Sequence, residues 1–284
     1  MTITREAFAK VNLYLHVCGR RDNGYHELDS LIVFAQTGDI LSFEEAEDIT
    51  LEVSGPMAPF LDGEPADNLV LKAAHGLRAL SGLEKGARIT LDKRLPVAAG
   101  IGGGSGDGAA ALKGLCELWQ IFPDPMGLEE LALSLGADVP ICMKAHANHV
   151  AGIGEKITPL PPLPDCWMVL VNPMVAVSTP AVFKARTAEF SPAAPMGGEY
   201  GFEGFIEALK ERQNDLMAPA MEIAPEIKPV LEAISAQPAC RLSRMSGSGA
   251  TCFGLFEHEE AAKEALDQLK SIQPSWWVSL GKII

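Results

Sequence analysis

The sequence PVAAGIGGGSGDGAAAL, residues 96–112, is the stretch that decides how this chain folds, because six of its positions are glycine. Glycine lets several backbone amides turn toward one anion without a Cβ in the way, and the positive end of a following helix strengthens that attraction. We expect a loop from Pro96 to Gly108 and then a helix from about Ala109 to Trp119. The stretch therefore predicts a phosphate cradle, to which Ser105 would add a hydroxyl donor.

Three other structures are rich in glycine, and the sequence argues against each of them. A flexible linker is rarely placed directly before an alanine-rich amphipathic helix. A Walker A loop needs a lysine that is absent here, and a dinucleotide-binding GxGxxG loop needs a third glycine where Ser105 stands. The residues that we expect to bind the phosphates are Pro96, Val97, Ala98, Ala99, Gly100, Ile101, Gly102, Gly103, Gly104, Ser105 and Gly106.

The composition limits the class of protein. With 284 residues, 48% of them hydrophobic, the chain can build one large domain or two modest ones. A formal net charge of −14 argues against nucleic acid as the main partner, because phosphate-backbone binding needs clustered Lys and Arg. The six cysteines form no CxxC pair, which predicts free thiols in a reducing compartment. With neither a secretory signal nor a long apolar run, we expect a cytoplasmic protein without a membrane partner.

Helix-forming and strand-forming stretches are interleaved along the chain, which predicts a globular protein of mixed α and β structure. The pair Asn23-Gly24 predicts a tight turn between the first two strands, and Asn68 or Asp67 would cap a helix that runs to about Leu80. The proline-rich PLPPLP, residues 159–164, predicts a boundary, so we expect domains over 1–158 and 159–284. Other expected strands lie at about 7–17, 28–34, 88–92, 167–173, 251–256 and 276–280, and other expected helices at about 128–135, 181–186, 202–212, 226–235 and 259–271.

Two charged residues are candidates for catalysis. Lys10 lies on the polar face of the first expected strand, and Asp138 lies in a turn after a helix. Transfer of a phosphoryl group to an alcohol needs a group that orients or deprotonates the hydroxyl and a cation that stabilises developing charge. From the residues alone, a lysine on a solvated strand face and an aspartate that acts as a local cap are the commoner explanations of this pattern. His146 and His149 lack a third ligand nearby, so we interpret them as surface residues and expect no protein metal site.

Several motifs in a fixed order resemble the GHMP kinases, the family of galactokinase, homoserine kinase and mevalonate kinase. Besides the glycine loop, they are AKVNLYLHVCGRRDNGYHEL (9–28), LGADVP (135–140), STPAVF (178–183), NDL (214–216) and MSGSGATCFGLF (245–256). The resemblance covers most of the chain. It implies a two-domain α+β fold, with an N-terminal ATP-binding half like the second domain of ribosomal protein S5, a ferredoxin-like C-terminal half and an active site in the cleft between them.

The resemblance also implies roles for individual residues. Lys10 and Asp138 would flank the acceptor hydroxyl, with Asp138 as general base and Lys10 as its electrostatic partner. The turn motif is similar to that of members whose substrate carries a cytidine diphosphate. In that case Tyr25 and Phe183 would sandwich the cytosine, His26 would hydrogen-bond it and Asn12 would contact the substrate. ATP is the implied co-substrate, and Mg²⁺ would arrive with it.

Some assignments stay open at this level. Asn68, Lys72 and Lys93 are candidates for contacts with the adenine or the phosphates. The loop departs from the usual GGGSSNAA of the similar kinases at Gly106 and Asp107, and Asp107 is either a helix cap or close to the metal ion. Two alternatives remain for the function: a GHMP kinase for homoserine, mevalonate or a sugar, and a nucleic-acid-binding module built on the S5-like half.

Overall fold

The computed structural model describes residues 2–61 and 63–284, except for the side chain of Pro65. The strands are β1 Ile3–Arg20, β2 His26–Ala46, β3 Ile49–Ser54, β4 Gly86–Asp92, β5 Asn148–Gly152, β6 Lys156–Pro159, β7 Trp167–Asn172, β8 Leu242–Met245, β9 Cys252–Phe256 and β10 Trp277–Lys282. The helices are α1 Leu69–Ser81, α2 Gly103–Trp119, α3 Pro125–Leu135, α4 Val139–Lys144, α5 Thr179–Ala185, α6 Phe202–Lys210, α7 Met217–Ile223, α8 Ile227–Ser235 and α9 Glu259–Ile272. The expected α+β class is confirmed.

The chain forms two compact units made of interleaved segments. The first unit contains the segment up to Ala9, Gly38–Val97 and Gly102–Ala145. The second contains Lys10–Thr37, Ala98–Ile101 and His146–Ile284. The expected boundary between residues 158 and 159 would divide the chain once. The observed units instead alternate along the chain, with divisions within β1, within β2 and in the glycine loop. The PLPPLP stretch lies inside the second unit.

In the first unit, a sheet is covered by helices. Strand β4 pairs antiparallel with residues 40–46 of β2 and parallel with β3. Helix α1 begins at Asn68, whose side-chain oxygen accepts a hydrogen bond from the Val70 amide at 2.9 Å, as expected for an N-cap. Helix α2 lies close to the sheet at Gly114, where a Cβ would stand 2.3 Å from the Phe43 ring. The small residue is therefore required by the packing.

In the second unit, four antiparallel strands form a sheet in the order β10-β7-β9-β8. Its core is aliphatic and includes residues of β7, α8 and α9, among them Val169, Val171, Val230, Ile234 and Leu269. Residues 28–32 of β2 pair with β5, which pairs in turn with β6. The Asn23-Gly24 turn is confirmed, because the Arg21 amide bonds the Tyr25 carbonyl at 2.8 Å and Gly24 has φ of 88°.

One expected boundary is wrong in an instructive way. Helix α2 begins at Gly103 and not near Ala109, so four of the glycines lie in its first turns. Because glycine has a low helix propensity, the sequence does not indicate a helix that starts among glycines. Here the surrounding structure holds that first part of the helix in place. The strands β3, β5, β6 and β8 and the helices α4 and α7 were not expected either, because short elements carry little periodicity. Within the described ranges, none of the helices has the length and apolar character to span a membrane.

Candidate active site

The first half of the glycine loop packs against a second glycine motif within the second unit. Thr251 donates its amide to the Ala99 carbonyl at 3.2 Å, and the Ser246 hydroxyl lies 3.1 Å from the Gly100 carbonyl. Gly100 has φ of +73°, and a Cβ there would stand 2.7 Å from the Gly249 carbonyl oxygen. Only glycine fits this position, because both the backbone conformation and the space exclude a side chain.

The second half of the loop becomes the start of α2 in the first unit. Gly102 is the N-cap residue with φ of 66°, and its carbonyl accepts the Gly106 amide at 2.7 Å. The amides of residues 103–105 belong to the first turn, where a helix provides no carbonyl partner for them. Together with the positive end of the helix, these amides suit a phosphate group. Of the expected phosphate-binding residues, 98–101 thus lie in the second unit and 96–97 and 102–106 in the first.

Behind the start of α2, Lys93 is held by two buried carboxylates. Its Nζ lies 2.6 Å from Oδ2 of Asp39 and 2.6 Å from Oδ2 of Asp107, and its side chain is 3% exposed. Asp39 also accepts the amides of Arg94 and Leu95, at 2.6 and 2.8 Å. A Cβ on Gly103 would stand 3.2 Å from the Lys93 ammonium. The cluster therefore joins β2, the chain that enters the loop and helix α2.

The position of Asp107 fits neither of the two roles that the sequence left open, the helix cap and a place close to the metal ion. Asp107 is in the body of α2 and binds Lys93, so it is not the N-cap. The lysine ammonium at 2.6 Å also makes a poor neighbour for a divalent cation. The pKa of Asp107 is raised to about 7, because burial and the nearby Asp39 raise it by more than the Lys93 ammonium lowers it. Its Oδ1 is buried without a hydrogen-bond partner among the described atoms.

The three candidates for adenine or phosphate contacts have structural partners. Asn68 caps α1, and Lys72 forms an exposed ion pair with Asp67 at 2.9 Å. The ammonium of Lys93 donates to the carboxylates of Asp39 and Asp107. Any effect of Lys93 on a phosphate would therefore be indirect, through the position of α2. Asp39 was missed by sequence reasoning, because nothing in the sequence places it near residues more than fifty positions away.

Lys10 and Asn12 lie on a buried polar face of β1 in the second unit. The Lys10 Nζ is 3.5 Å from the Asn12 side-chain oxygen, and the Lys10 amide bonds the Ile101 carbonyl at 3.0 Å. Asn12 donates its side-chain amide to Ser30 at 2.7 Å. This part of β1 is thereby fixed directly beside the first half of the glycine loop.

Asp138 belongs to the first unit, where it precedes α4. It is half-buried and occupies the N-cap position, but its side chain makes no capping hydrogen bond to α4. The capping alternative that the sequence allowed is therefore wrong for this carboxylate. The described residues contain no group of three or more His, Cys, Asp or Glu side chains that could hold a metal ion.

A large pocket lies entirely within the second unit, at the turn between β1 and β2 and the helix α5. Its volume is about 740 Å³. Its aromatic lining residues are Tyr25, which is 60% exposed, His26, Phe183 and Phe190. Its cationic lining residues, Arg20, Lys184 and Arg186, were not among the expected site residues. Three of the four residues expected to bind the substrate thus line one pocket.

The aromatic side chains are not arranged as a simple sandwich. The rings of His26 and Phe183 stack on each other, with centroids 4.8 Å apart and planes inclined by 22°. One face of Phe183 is therefore covered by His26, whereas Tyr25 presents an exposed ring. Burial, followed by the charges of Arg20 and Arg186, lowers the pKa of His26. At neutral pH the imidazole is uncharged and can both donate and accept a hydrogen bond.

The interpretation of His149 as a surface residue is wrong. Its Nε2 lies 2.6 Å from Oδ1 of Asp29, and the same oxygen accepts the Tyr14 hydroxyl at 3.0 Å. The other oxygen of Asp29 accepts the Ala194 amide. Strand β5, which carries His149, was not expected from the sequence, so neither was this contact. His146 precedes that strand and is exposed, as expected.

Comparison with known proteins places this arrangement in a family. Residues 68–146 match the model of the GHMP kinases N terminal domain, and residues 201–274 match that of the GHMP kinases C terminal domain. The chain belongs to the GHMP kinases, and it is an ATP-dependent small-molecule kinase. The two-domain fold expected from the sequence is thereby confirmed.

Within that family, the relatives point to one enzyme. The chain is 53% identical over 281 residues to the 4-diphosphocytidyl-2-C-methyl-D-erythritol kinase of Paramagnetospirillum magneticum, covering 98% of each chain. It is 50% identical over 284 residues to the kinase of the same name from Rhodospirillum rubrum, covering all of this chain and 93% of that one. A crystal structure of 4-(cytidine 5'-diphospho)-2C-methyl-D-erythritol kinase superposes with a TM-score of 0.82 at 35% identity, over 99% of both chains.

Proposed function

We propose that this kinase transfers the γ-phosphoryl group of ATP to the 2-hydroxyl of 4-diphosphocytidyl-2-C-methyl-D-erythritol, giving the 2-phosphate and ADP. The reaction belongs to the non-mevalonate pathway of isoprenoid precursor synthesis. Identity of about half over nearly the whole chain to curated relatives of that name supports the proposal. Homoserine, mevalonate or a sugar as acceptor is the alternative that must be excluded.

The observation that carries the choice of acceptor is the pocket lined by Tyr25, His26 and Phe183. An acceptor without a planar base has no use for an exposed tyrosine ring beside a stacked imidazole. A cytosine offers an aromatic face to Tyr25 and hydrogen-bonding groups to the neutral His26. A pocket of about 740 Å³ is also in the range of sites that enclose nucleotide-sized ligands.

The donor side of the reaction is provided by the glycine loop. The first-turn amides of α2, with the positive end of the helix, hold the phosphates of ATP, and Gly100 leaves the backbone free of a side chain. Magnesium arrives with ATP, held mainly by phosphate oxygens and water, and neutralises part of the phosphate charge. No protein residue is assigned to it.

Asp138 and Lys10 perform the chemistry on the acceptor. Asp138 accepts the proton of the 2-hydroxyl as the oxygen attacks phosphorus, and Lys10 stabilises the negative charge that develops. The hydrogen bonds that fix β1 beside the loop support this role for Lys10, because a catalytic group must be held within hydrogen-bond reach of the reacting atoms. Asp138 is half-buried at the start of α4, and a carboxylate can accept a proton from a hydroxyl.

The setting follows from the reaction. Both substrates are small and water-soluble, so no nucleic acid or membrane takes part, and we place the enzyme in the cytoplasm. The six cysteines are free thiols, in keeping with a reducing compartment.

The test is an assay of ADP release with one acceptor at a time, using the full chain and ATP with magnesium. We expect turnover with the cytidyl substrate and none above background with homoserine or mevalonate. The product should carry the phosphate on the 2-hydroxyl, which phosphorus NMR identifies. Turnover with homoserine or mevalonate and not with the cytidyl compound would reject the proposed acceptor.

A further inference from the structure

We propose that Arg20, Lys184 and Arg186 bind the diphosphate of the acceptor, so that this pocket selects nucleoside diphosphates over neutral nucleosides. The proposal rests on the proposed function, which supplies a substrate with a base and two phosphates. It assigns the phosphates to three residues that were not among the expected site residues.

The charge of the pocket differs from that of the chain as a whole. The formal net charge of the protein is −14, yet the described lining residues include three cations and no aspartate or glutamate. Arg186 lies 3.8 Å from a carboxylate oxygen of Asp215, which is not a lining residue, whereas the lining places no carboxylate beside Arg20 and Lys184. Cations of the latter kind raise the local concentration of an anionic ligand and stabilise it once bound. In an acidic protein, such a pocket indicates an anionic ligand.

Arg186 is fixed at the pocket wall by its own loop. Its side chain is 5% exposed, and its guanidinium donates to the carbonyls of Ala188, at 2.8 Å, and Glu189. The group also lies over the Phe190 ring, 5.2 Å from its centroid. The Nε of Arg186 is buried without a hydrogen-bond partner in the described structure. A buried donor of this kind is costly, and an anionic oxygen from a ligand would satisfy it.

Arg20 and Lys184 stand beside the aromatic residues. Arg20 precedes the turn and its Nε lies 3.4 Å from the Gly24 carbonyl, so the turn that carries Tyr25 also positions this cation. Lys184 follows Phe183 in the last turn of α5. The charges of Arg20 and Arg186 both act on His26, which places them near the imidazole that would contact the base. Base and phosphates therefore have separate partners within one pocket.

The experiment compares two probes, CDP and cytidine, by isothermal titration calorimetry. A saturating non-hydrolysable ATP analogue occupies the donor site in every titration, so that only the acceptor pocket is measured. We expect the wild type to bind CDP at least tenfold more tightly than cytidine, since hydrogen bonds between charged groups are stronger than those between neutral groups. In Arg20→Met/Lys184→Met that ratio should fall by about tenfold, with cytidine binding unchanged.

Salt provides a second readout, because it screens the cations but not the stacking. The CDP affinity of the wild type should fall as ionic strength rises, and that of the double variant should fall much less. Arg88→Met/Lys263→Met is the matched control, since both side chains are exposed and form single surface ion pairs. This control should keep the wild-type ratio.

Two outcomes would overturn the inference. One is a wild type that binds CDP no more tightly than cytidine, and the other is a double variant that keeps the full ratio and its salt dependence. The proposed reaction is judged separately, by turnover of the wild type. Suppose that the wild type turns over the cytidyl substrate while the double variant keeps the wild-type ratio of CDP affinity to cytidine affinity. The proposed function then stands, and only the assignment of the diphosphate to these cations is rejected.

Discussion

The Nζ of Lys93 lies 2.6 Å from Oδ2 of Asp107, so the strand that leads into the glycine loop and the helix that follows it are joined by a buried ion pair. Asp39 completes the cluster by binding the same ammonium and two backbone amides at the loop entrance. These contacts fix both ends of the segment that we propose as the binding site for the ATP phosphates. Phosphate binding should therefore depend on side chains that need not touch the nucleotide.

Replacing Lys93 should destabilise the fold and weaken ATP binding. Lys93→Met leaves two carboxylates buried without their cation, which typically costs about 3–5 kcal/mol. Denaturant unfolding should show this loss, whereas Lys263→Met, an exposed lysine paired with Glu259, should change stability by less than about 0.5 kcal/mol. Equal effects of the two changes would refute a structural role for the cluster.

The carboxyl of Asp107 should make stability depend on pH. Its pKa is raised from 3.8 to about 7 in the folded protein, so between these values the native state keeps a proton that the unfolded chain has lost. The contribution of this carboxyl group to the free energy of unfolding is therefore full below a pH of 3.8 and is lost as the pH rises toward 7. Asp107→Asn should remove a slope of up to about 1.4 kcal/mol per pH unit from unfolding curves measured at pH 4–7. A variant with the wild-type slope would contradict the assignment.

Adding one methyl group at Gly100 should disrupt the loop. A Cβ there would stand 2.7 Å from the Gly249 carbonyl oxygen, in a backbone conformation with φ of +73°. We expect Gly100→Ala to lower the free energy of unfolding by about 1–3 kcal/mol and to raise the KM for ATP. Gly197→Ala is the matched control, because a Cβ at that position meets nothing within 4 Å. A wild-type KM for ATP in Gly100→Ala would show that the loop can accommodate the added methyl group, contrary to the prediction.

Asp138→Asn should abolish most turnover and leave the fold intact. An amide has the shape of the carboxylate but does not accept the hydroxyl proton, and loss of a general base costs about 10²–10⁴-fold in kcat. ATP binding, measured by calorimetry, should stay near the wild-type value. Turnover within a few fold of wild type would exclude Asp138 as the base.

Tyr25→Ala should weaken binding of the acceptor substrate and leave binding of ATP unchanged. The ring is 60% exposed, so its removal barely affects packing, but loss of base stacking should raise the KM for the cytidyl substrate about 10–100-fold. Phe122→Ala removes another exposed ring, 98% accessible and remote in sequence from the pocket, and should leave both KM values unchanged. A rise in the KM for ATP in Tyr25→Ala would argue against stacking on the acceptor.

Sequence reasoning was reliable where the information is local. The glycine run, the Asn23-Gly24 turn and the cap at Asn68 each depend on neighbouring residues, and the structure confirms the turn and the cap. The start of α2 at Gly103 was missed, because glycine propensity contradicts a helix that tertiary packing imposes. The short strand β5 was missed too, and with it the contact between His149 and Asp29.

The amino-acid sequence alone determined the family, and it predicted the phosphate loop and the residues that we expect to act on the acceptor, because these follow from residue types at short, ordered spacings. Only the tertiary structure brought Asp39, Lys93 and Asp107 together and gathered Arg20, Lys184 and Arg186 around one pocket. Such clusters depend on the distance between residues that lie far apart along the chain. Burial also raises the pKa of Asp107, and burial arises only when the chain is folded.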